Sequence, residues 1–200
     1  MIKQLTCFFT FLFATSVFAT EPPNPAKVII PIYSQKVSFK LPKHWKPAFQ
    51  DQNPASFMME FLPQNETLDN WSEMFTVLGV KMAGGRVPLT EFLQNISDNH
   101  KKICGSNLVS QFIEHKNIDG HNALSAIIGC ASLPNQTSEI AYYLAIEGQN
   151  DLYLFHKSMR RKAFHVSNPP ITKFNATQYI SNFLPIELCK NIGKAHECPK

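Results

Sequence analysis

The residues able to do chemistry gather in a few places. The stretch "HKSMRRKAFH" over 156–165 holds four cations, Lys157, Arg160, Arg161 and Lys162, with Phe155 and Phe164 close by. Guanidinium and ammonium groups at that density suit phosphates, anionic headgroups or an acidic protein patch, through charge-assisted hydrogen bonds and a local positive potential. The plainer reading is a solvated strand end. A second stretch, "NETLDNWSEMF" over 65–75, sets Glu66, Asp69 and Glu73 around Trp71. Two such carboxylates could serve as general acid and base. In the simpler reading Asp69 caps a turn, Glu66 and Glu73 hold the loop by local hydrogen bonds, and Trp71 closes over a sheet edge. The indole is also a ligand platform in waiting, apolar on its faces with one N–H to place.

Histidines are plentiful and scattered. His115 and His121 bracket Asp119-Gly120 and could meet across a hairpin, but two imidazoles without a third ligand hold a metal weakly. His156 shares a strand face with Leu152 and Leu154, where a half-buried, satisfied ring is the expectation. There is no G-x-S-x-G elbow, and "MAGGRV" lacks the lysine and spacing of a phosphate loop, so Gly84-Gly85 reads as a turn. The expected inventory is no catalytic residue, no cofactor and no metal, with Trp71 and the four cations as candidates for partner binding.

Residues 1–19 read as an export signal: Lys3 precedes the apolar run "LTCFFTFLF", and Val17 and Ala19 stand at the small-residue positions before a cleavage point. The run is shorter than the roughly 20 residues a membrane span needs, and no later stretch is long and apolar enough to span. Cleavage removes Lys3 and no acidic residue, taking the formal charge from +4 to +3. That surplus, unclustered over most of the chain, excludes strong nucleic-acid binding as an expectation. Four cysteines remain, Cys104, Cys130, Cys189 and Cys198; an even count in an exported chain favours two disulfides, of three possible pairings. Cys104–Cys130 and Cys189–Cys198 is the economical one. His196 beside Cys198 raises zinc as a rival, but no C-x-x-C pair supports it.

The elements that must position these groups follow from periodicity. Residues 20–27 read as a flexible leader and 28–188 as one α+β domain, with 189–200 as a disulfide-tethered tail. Alternation in "KVSFKL" puts Val37, Phe39 and Leu41 on one strand face; "SFMMEFL" and "MFTVLGVKM" supply further strands. Leu89, Phe92, Leu93, Ile96, His100 and Ile103 recur at helical spacing, starting at Pro88 or Thr90 and stopping at Cys104-Gly105. "NLVSQFIE" and "ALSAIIGCA" flank the Asp119-Gly120 turn, "EIAYYLAIE" and "DLYLFHKSM" flank "GQN", and "NATQYISNFLPIELC" reads as a helix that Pro185 ends. The layout is a twisted antiparallel sheet flanked by helices.

At "FKLPKHW", "FMMEFLPQNETLDNWSEMFTV" and "CGSNLVSQ…IIGCA" the chain resembles a group of small exported proteobacterial proteins. Their shared pattern matches Leu41, Pro42, Trp45, Pro63, Glu66, Thr67, Trp71, Ser72 and Glu73, then Cys104 and Cys130, across about residues 30 to 185. The group looks like the Mog/PsbP-like fold, an α/β/α sandwich that includes the photosystem extrinsic subunit and a Ran-binding nuclear protein, and the exported form is similar to NttE-type substrates of type II secretion in intracellular bacteria. The resemblance implies binding roles rather than enzymology, and release to the periplasm or beyond the outer membrane. The expected function is a non-enzymatic exported binding module with a protein or an anionic surface as partner. Its rivals are a hydrolase built on His115, His121 and the Glu66–Glu73 segment, and a periplasmic assembly factor.

Overall fold

Strand β1 (Ala26–Ile32) pairs antiparallel with β2 (Gln35–Leu41), running from Ala26 opposite Leu41 to Ile32 opposite Gln35. The computed structural model describes residues 25–82 and 84–189. The expected signal segment, residues 20–24 of the leader, His196, Cys198 and the tail from 190 lie outside the described residues. Within β2, Val37, Phe39 and Leu41 are buried, as the alternation requires. Ala26 and Lys27, expected in the leader, belong to β1, and Lys27 pairs with Glu187 at 3.4 Å.

Strand β3 (Trp45–Gln52) was not foreseen: Pro47 interrupts its pattern, and a register shift falls between Pro47 and Phe49. Proline is tolerated there because β3 is the edge of the large sheet, where a missing N–H costs no ladder bond. Strands β4 (Ser56–Pro63) and β5 (Glu73–Lys81) follow as expected. Helix α1 (Leu89–Cys104) starts directly after Pro88 and ends at Gly105, whose φ of 55° only glycine adopts freely and whose N–H reaches the Lys101 carbonyl. Leu89 and Leu93 are buried, but Ile103 points to solvent at 69% exposure, and Cys104 takes the inward place. From there its sulfur bridges to Cys130, with Cα atoms 5.2 Å apart.

Strands β6 (Leu108–Ile118), β7 (His121–Cys130), β8 (Thr137–Glu147) and β9 (Asp151–Lys162) form consecutive hairpins. The expected C-terminal helix is a single turn, α2 (Ala176–Ile180), followed by a 3₁₀ turn at Ser181–Phe183 and the short strand β10 (Glu187–Cys189). Pro185 ends helical structure, and β10 pairs with β2. Cys189 is disulfide-bonded, and its partner lies outside the described residues.

Seven strands make the main sheet, in the order β3-β4-β5-β9-β8-β7-β6, antiparallel throughout. This is the expected α+β class. One face carries α1, packed on Leu124, Ala126, Ile128, Ala145 and Leu154. The other face carries the three-stranded sheet β1-β2-β10 together with α2 and the 3₁₀ turn. Between them lies an aromatic core in which Phe75 stacks on Phe183 at 4.1 Å and meets Phe39 at 5.2 Å. The layers are also tied by polar groups. Buried Asp151 accepts from the Ser34 N–H at 2.9 Å, the Ser34 hydroxyl and the Tyr153 hydroxyl, fixing the β1–β2 turn onto the β8–β9 hairpin.

A cationic candidate site beside Trp71

The loop from Gln64 to Ser72 leaves β4 and returns into β5. Glu66 holds it shut: its carboxylate accepts the Ser72 N–H at 2.8 Å, the Ser72 hydroxyl, and the Glu73 N–H at 3.4 Å. Thr67 and Asn70 exchange backbone hydrogen bonds at 3.2 and 3.1 Å. This frame pushes Trp71 down onto Leu62 and Met74, leaving it 7% exposed. The indole is therefore a structural pin over the sheet, as the simpler reading expected. Glu73 takes no part in the loop through its carboxylate, which turns instead to Lys157, 3.4 Å away. Asp69 is exposed.

Arg160 reaches the same indole from β9. Its guanidinium carbon lies 4.0 Å from the Trp71 ring centroid, and one nitrogen pairs with Glu139 at 3.1 Å. Its backbone N–H donates to the Ser72 carbonyl at 2.9 Å. A stacked, paired guanidinium of this kind contributes about 0.5–2 kcal/mol and is held in one orientation. Arg161 and Lys162 follow on the chain, both exposed, and neither has an ion-pair partner among the described residues. With Trp71, Ser72 and Thr137 they border a concavity of about 350 Å³. Arg160 and Lys162 line it from one face of β9 and Arg161 borders it from the other, against the one carboxylate of Glu66, and Asn70 adds an exposed amide. The arrangement can accept an anionic group through guanidinium and ammonium hydrogen bonds.

Lys157, counted with these cations from the sequence, is not at the surface. It lies on the opposite face of β9 from Arg160, 6% exposed, with its ammonium over the Tyr179 ring at 4.2 Å and donating to the Tyr179 carbonyl at 3.3 Å. Burial pulls its pKa below the usual lysine range, and the nearby Glu73 carboxylate counters that pull. Its partners are internal, so it belongs to the core and not to the docking face. Phe155 is likewise fully buried.

The histidines are not brought together. The pairing of Ile118 with His121 and of Leu124 with His115 puts the two imidazoles on opposite faces of the hairpin. His121 Nδ1 lies 2.9 Å from the Glu147 carbonyl, and His115 is exposed. Among the described residues no group of three His, Cys, Asp or Glu side chains could hold a metal ion. His156 is half-buried, stacked on Tyr143 at 4.9 Å with Nδ1 3.1 Å from the Ser158 hydroxyl. Burial, with His100 adding to it, pushes its pKa down to about 4. Arg86, from "MAGGRV", pairs with Glu147 at 3.1 Å. Among the described residues no helix is long and apolar enough to cross a membrane. Glu139 was missed in the sequence; the strand around it was legible, but its register against Arg160 was not.

No family model matches this chain, and no curated protein matches it. Among solved structures it is similar to a mutant of the protein Mog1, 10% identical with a TM-score of 0.43 over 80% of this chain and 86% of that one. The Ran-binding protein Mog1p of Saccharomyces cerevisiae is 9% identical, with a TM-score of 0.43 over 81% of this chain and 86% of that one. The cyanobacterial PsbP protein CyanoP of Synechocystis sp. PCC 6803 is 15% identical, with a TM-score of 0.40 over 65% and 82% respectively.

Proposed function

We propose that this chain is an exported, non-enzymatic binding module whose partner is a protein bearing an acidic surface, docked at Arg161 and Lys162 beside Trp71. The observation that carries the reading is the pair of exposed cations without ion-pair partners among the described residues, set on a scaffold that Arg160 and Trp71 make rigid. Preorganised charge of this sort steers association and fixes register more than it adds affinity. Export is supported by the pattern of residues 1–19, and release by a type II route to act on a host or the surroundings by the resemblance to NttE-type proteins.

The test uses residues 20–200, oxidised, titrated with a poly-glutamate peptide and read by tryptophan fluorescence. Wild-type protein binds with an affinity that falls as salt rises, and Arg161→Glu/Lys162→Glu weakens it at least tenfold. Equal binding by the two proteins removes the docking face. Preference for anionic vesicles over the peptide replaces the protein partner with a lipid surface. Finding the mature chain in culture supernatant supports secretion; retention in the periplasm favours an assembly factor.

A further inference from the structure

On the sheet face away from α1, β7 carries two small side chains in succession after His121, Ala123 and Ser125, both fully buried. Their neighbours across the ladder are large: Leu144 stands opposite Ser125, and Lys116 opposite Ala123. Between β6 and β8 on this face and the layer of α2 and the segment to β10 lies a cavity of about 450 Å³, with apolar walls from Ile118, Leu144, Ile180 and Ile186. That volume falls inside the roughly 300–1,000 Å³ of small-ligand sites, which are apolar with a few convergent polar groups. It shares no residue with the concavity beside Trp71.

Two polar groups line it, within electrostatic reach of each other. Tyr142 lines the cavity at 3% exposure, and its hydroxyl has no hydrogen-bond partner among the described residues. Lys116 lines it too, with its ammonium 2.8 Å from the Glu114 carboxylate. An ammonium has three N–H donors, so one partner leaves two for something else. Glu114 is more than half exposed, free to turn to water if displaced. A phenol with no protein partner, within electrostatic reach of a cation with donors to spare, marks a place for an acceptor-rich head group. The apolar walls behind them mark a place for a hydrocarbon tail.

We propose that this cavity binds a carboxylate amphiphile of the fatty-acid class, its head group held by Lys116 and Tyr142 and its alkyl chain lying between Leu144 and Ile180. The carboxylate accepts from the phenol and from the ammonium, and the chain replaces water along the walls.

Decanoate, below its micelle concentration, is titrated into the oxidised mature chain by calorimetry, with decyltrimethylammonium as the matched cation. Decanoate binds saturably at one site and the cation does not. Lys116→Met, which keeps the aliphatic stem, weakens decanoate by about tenfold or more, the scale of a lost hydrogen bond to a charged group. Glu114→Gln strengthens it, because the ammonium is then left to the ligand. Equal binding of the two amphiphiles, or decanoate affinity unmoved by Lys116→Met, overturns the assignment. Absence of saturable decanoate binding also overturns it; dimerisation that rises with concentration would then hand the groove to a second copy of the chain.

Discussion

Acidification should destabilise this protein through one side chain, His156. Its ring is half-buried on Tyr143, and its pKa stands at about 4 in the fold against 6.5 for an ordinary histidine. Between those values the unfolded chain binds the proton and the folded chain refuses it. The histidine's contribution is therefore complete above about pH 6.5, drains as pH falls, and is gone below about pH 4. Each pKa unit is worth about 1.36 kcal/mol, and at pH 4.5 the linkage relation puts the loss at about 2.5 kcal/mol. Carboxylates lose stability over the same range, so the measurement must be differential. Urea unfolding of wild type and His156→Phe is compared at pH 7 and pH 4.5; phenylalanine keeps a ring on Tyr143 and cannot titrate. Wild type should lose about 2.5 kcal/mol more than the variant, an extra midpoint fall of about 1 M for a urea slope near 2 kcal/mol/M. If both proteins lose the same stability to within about 0.5 kcal/mol, the neutral, buried imidazole is not what acid attacks.

Two further perturbations test the framework. The Cys104–Cys130 bridge closes a separation of 26 residues, and the chain-entropy relation assigns it about 3.5 kcal/mol; Cys104→Ala/Cys130→Ala should lower the unfolding free energy by about that much, and a loss under about 1 kcal/mol would show the bridge to be ornamental. Gly129 faces Ile140 so closely that an added Cβ would lie 2.3 Å from the Glu139 carbonyl oxygen and 2.4 Å from the Ile140 Cα. Gly129→Ala should therefore cost about 1–3 kcal/mol in a melting or urea experiment, while Gly84→Ala, with nothing within 4 Å, should be near neutral.

The parts of this fold legible in the sequence are those set by local chemistry. Helix α1 follows from a 3.6-residue apolar period, and the β6–β7 hairpin from Asp119-Gly120, whose φ values of 51° and 83° suit that dipeptide. The same two-residue turn also decides the fate of the histidine pair. It sets residue 118 opposite 121 and therefore 115 opposite 124, and strand alternation then sends His115 and His121 to opposite faces. Strands β1 and β3 escaped because Pro31 and Pro47 argue against strand unless the strand lies at an edge, and edge position is a tertiary fact. Lys157 was misplaced for a related reason. Its parity with Tyr153 and Phe155 was readable, but not that α2 and the 3₁₀ turn would close over that face and bury the ammonium. In the candidate site Glu66 and Trp71 were legible as a loop lock, while the stack of Arg160 on Trp71 depends on how far β9 outruns β5.

That overhang explains why the cations stand where they do. The β5–β9 ladder ends at Glu73 opposite Met159, while the β8–β9 ladder continues through Arg160, Arg161 and Lys162. From Arg160 onward, β9 has a strand on one side only, and the Ser72 carbonyl takes the next backbone N–H in place of a β5 residue. Of the three cations on this overhang, Arg160 is held on Trp71 and Glu139, while Arg161 and Lys162 are exposed. The cavity beside Lys116 and Leu144 has a different setting: it lies where β6 and β8 face α2 and the segment to β10. One feature is a strand too long for its partner, the other a space left between two layers. Neither needs a departure from ordinary sheet geometry, so binding surfaces could arise on this body while the Phe39–Phe75–Phe183 core stayed intact.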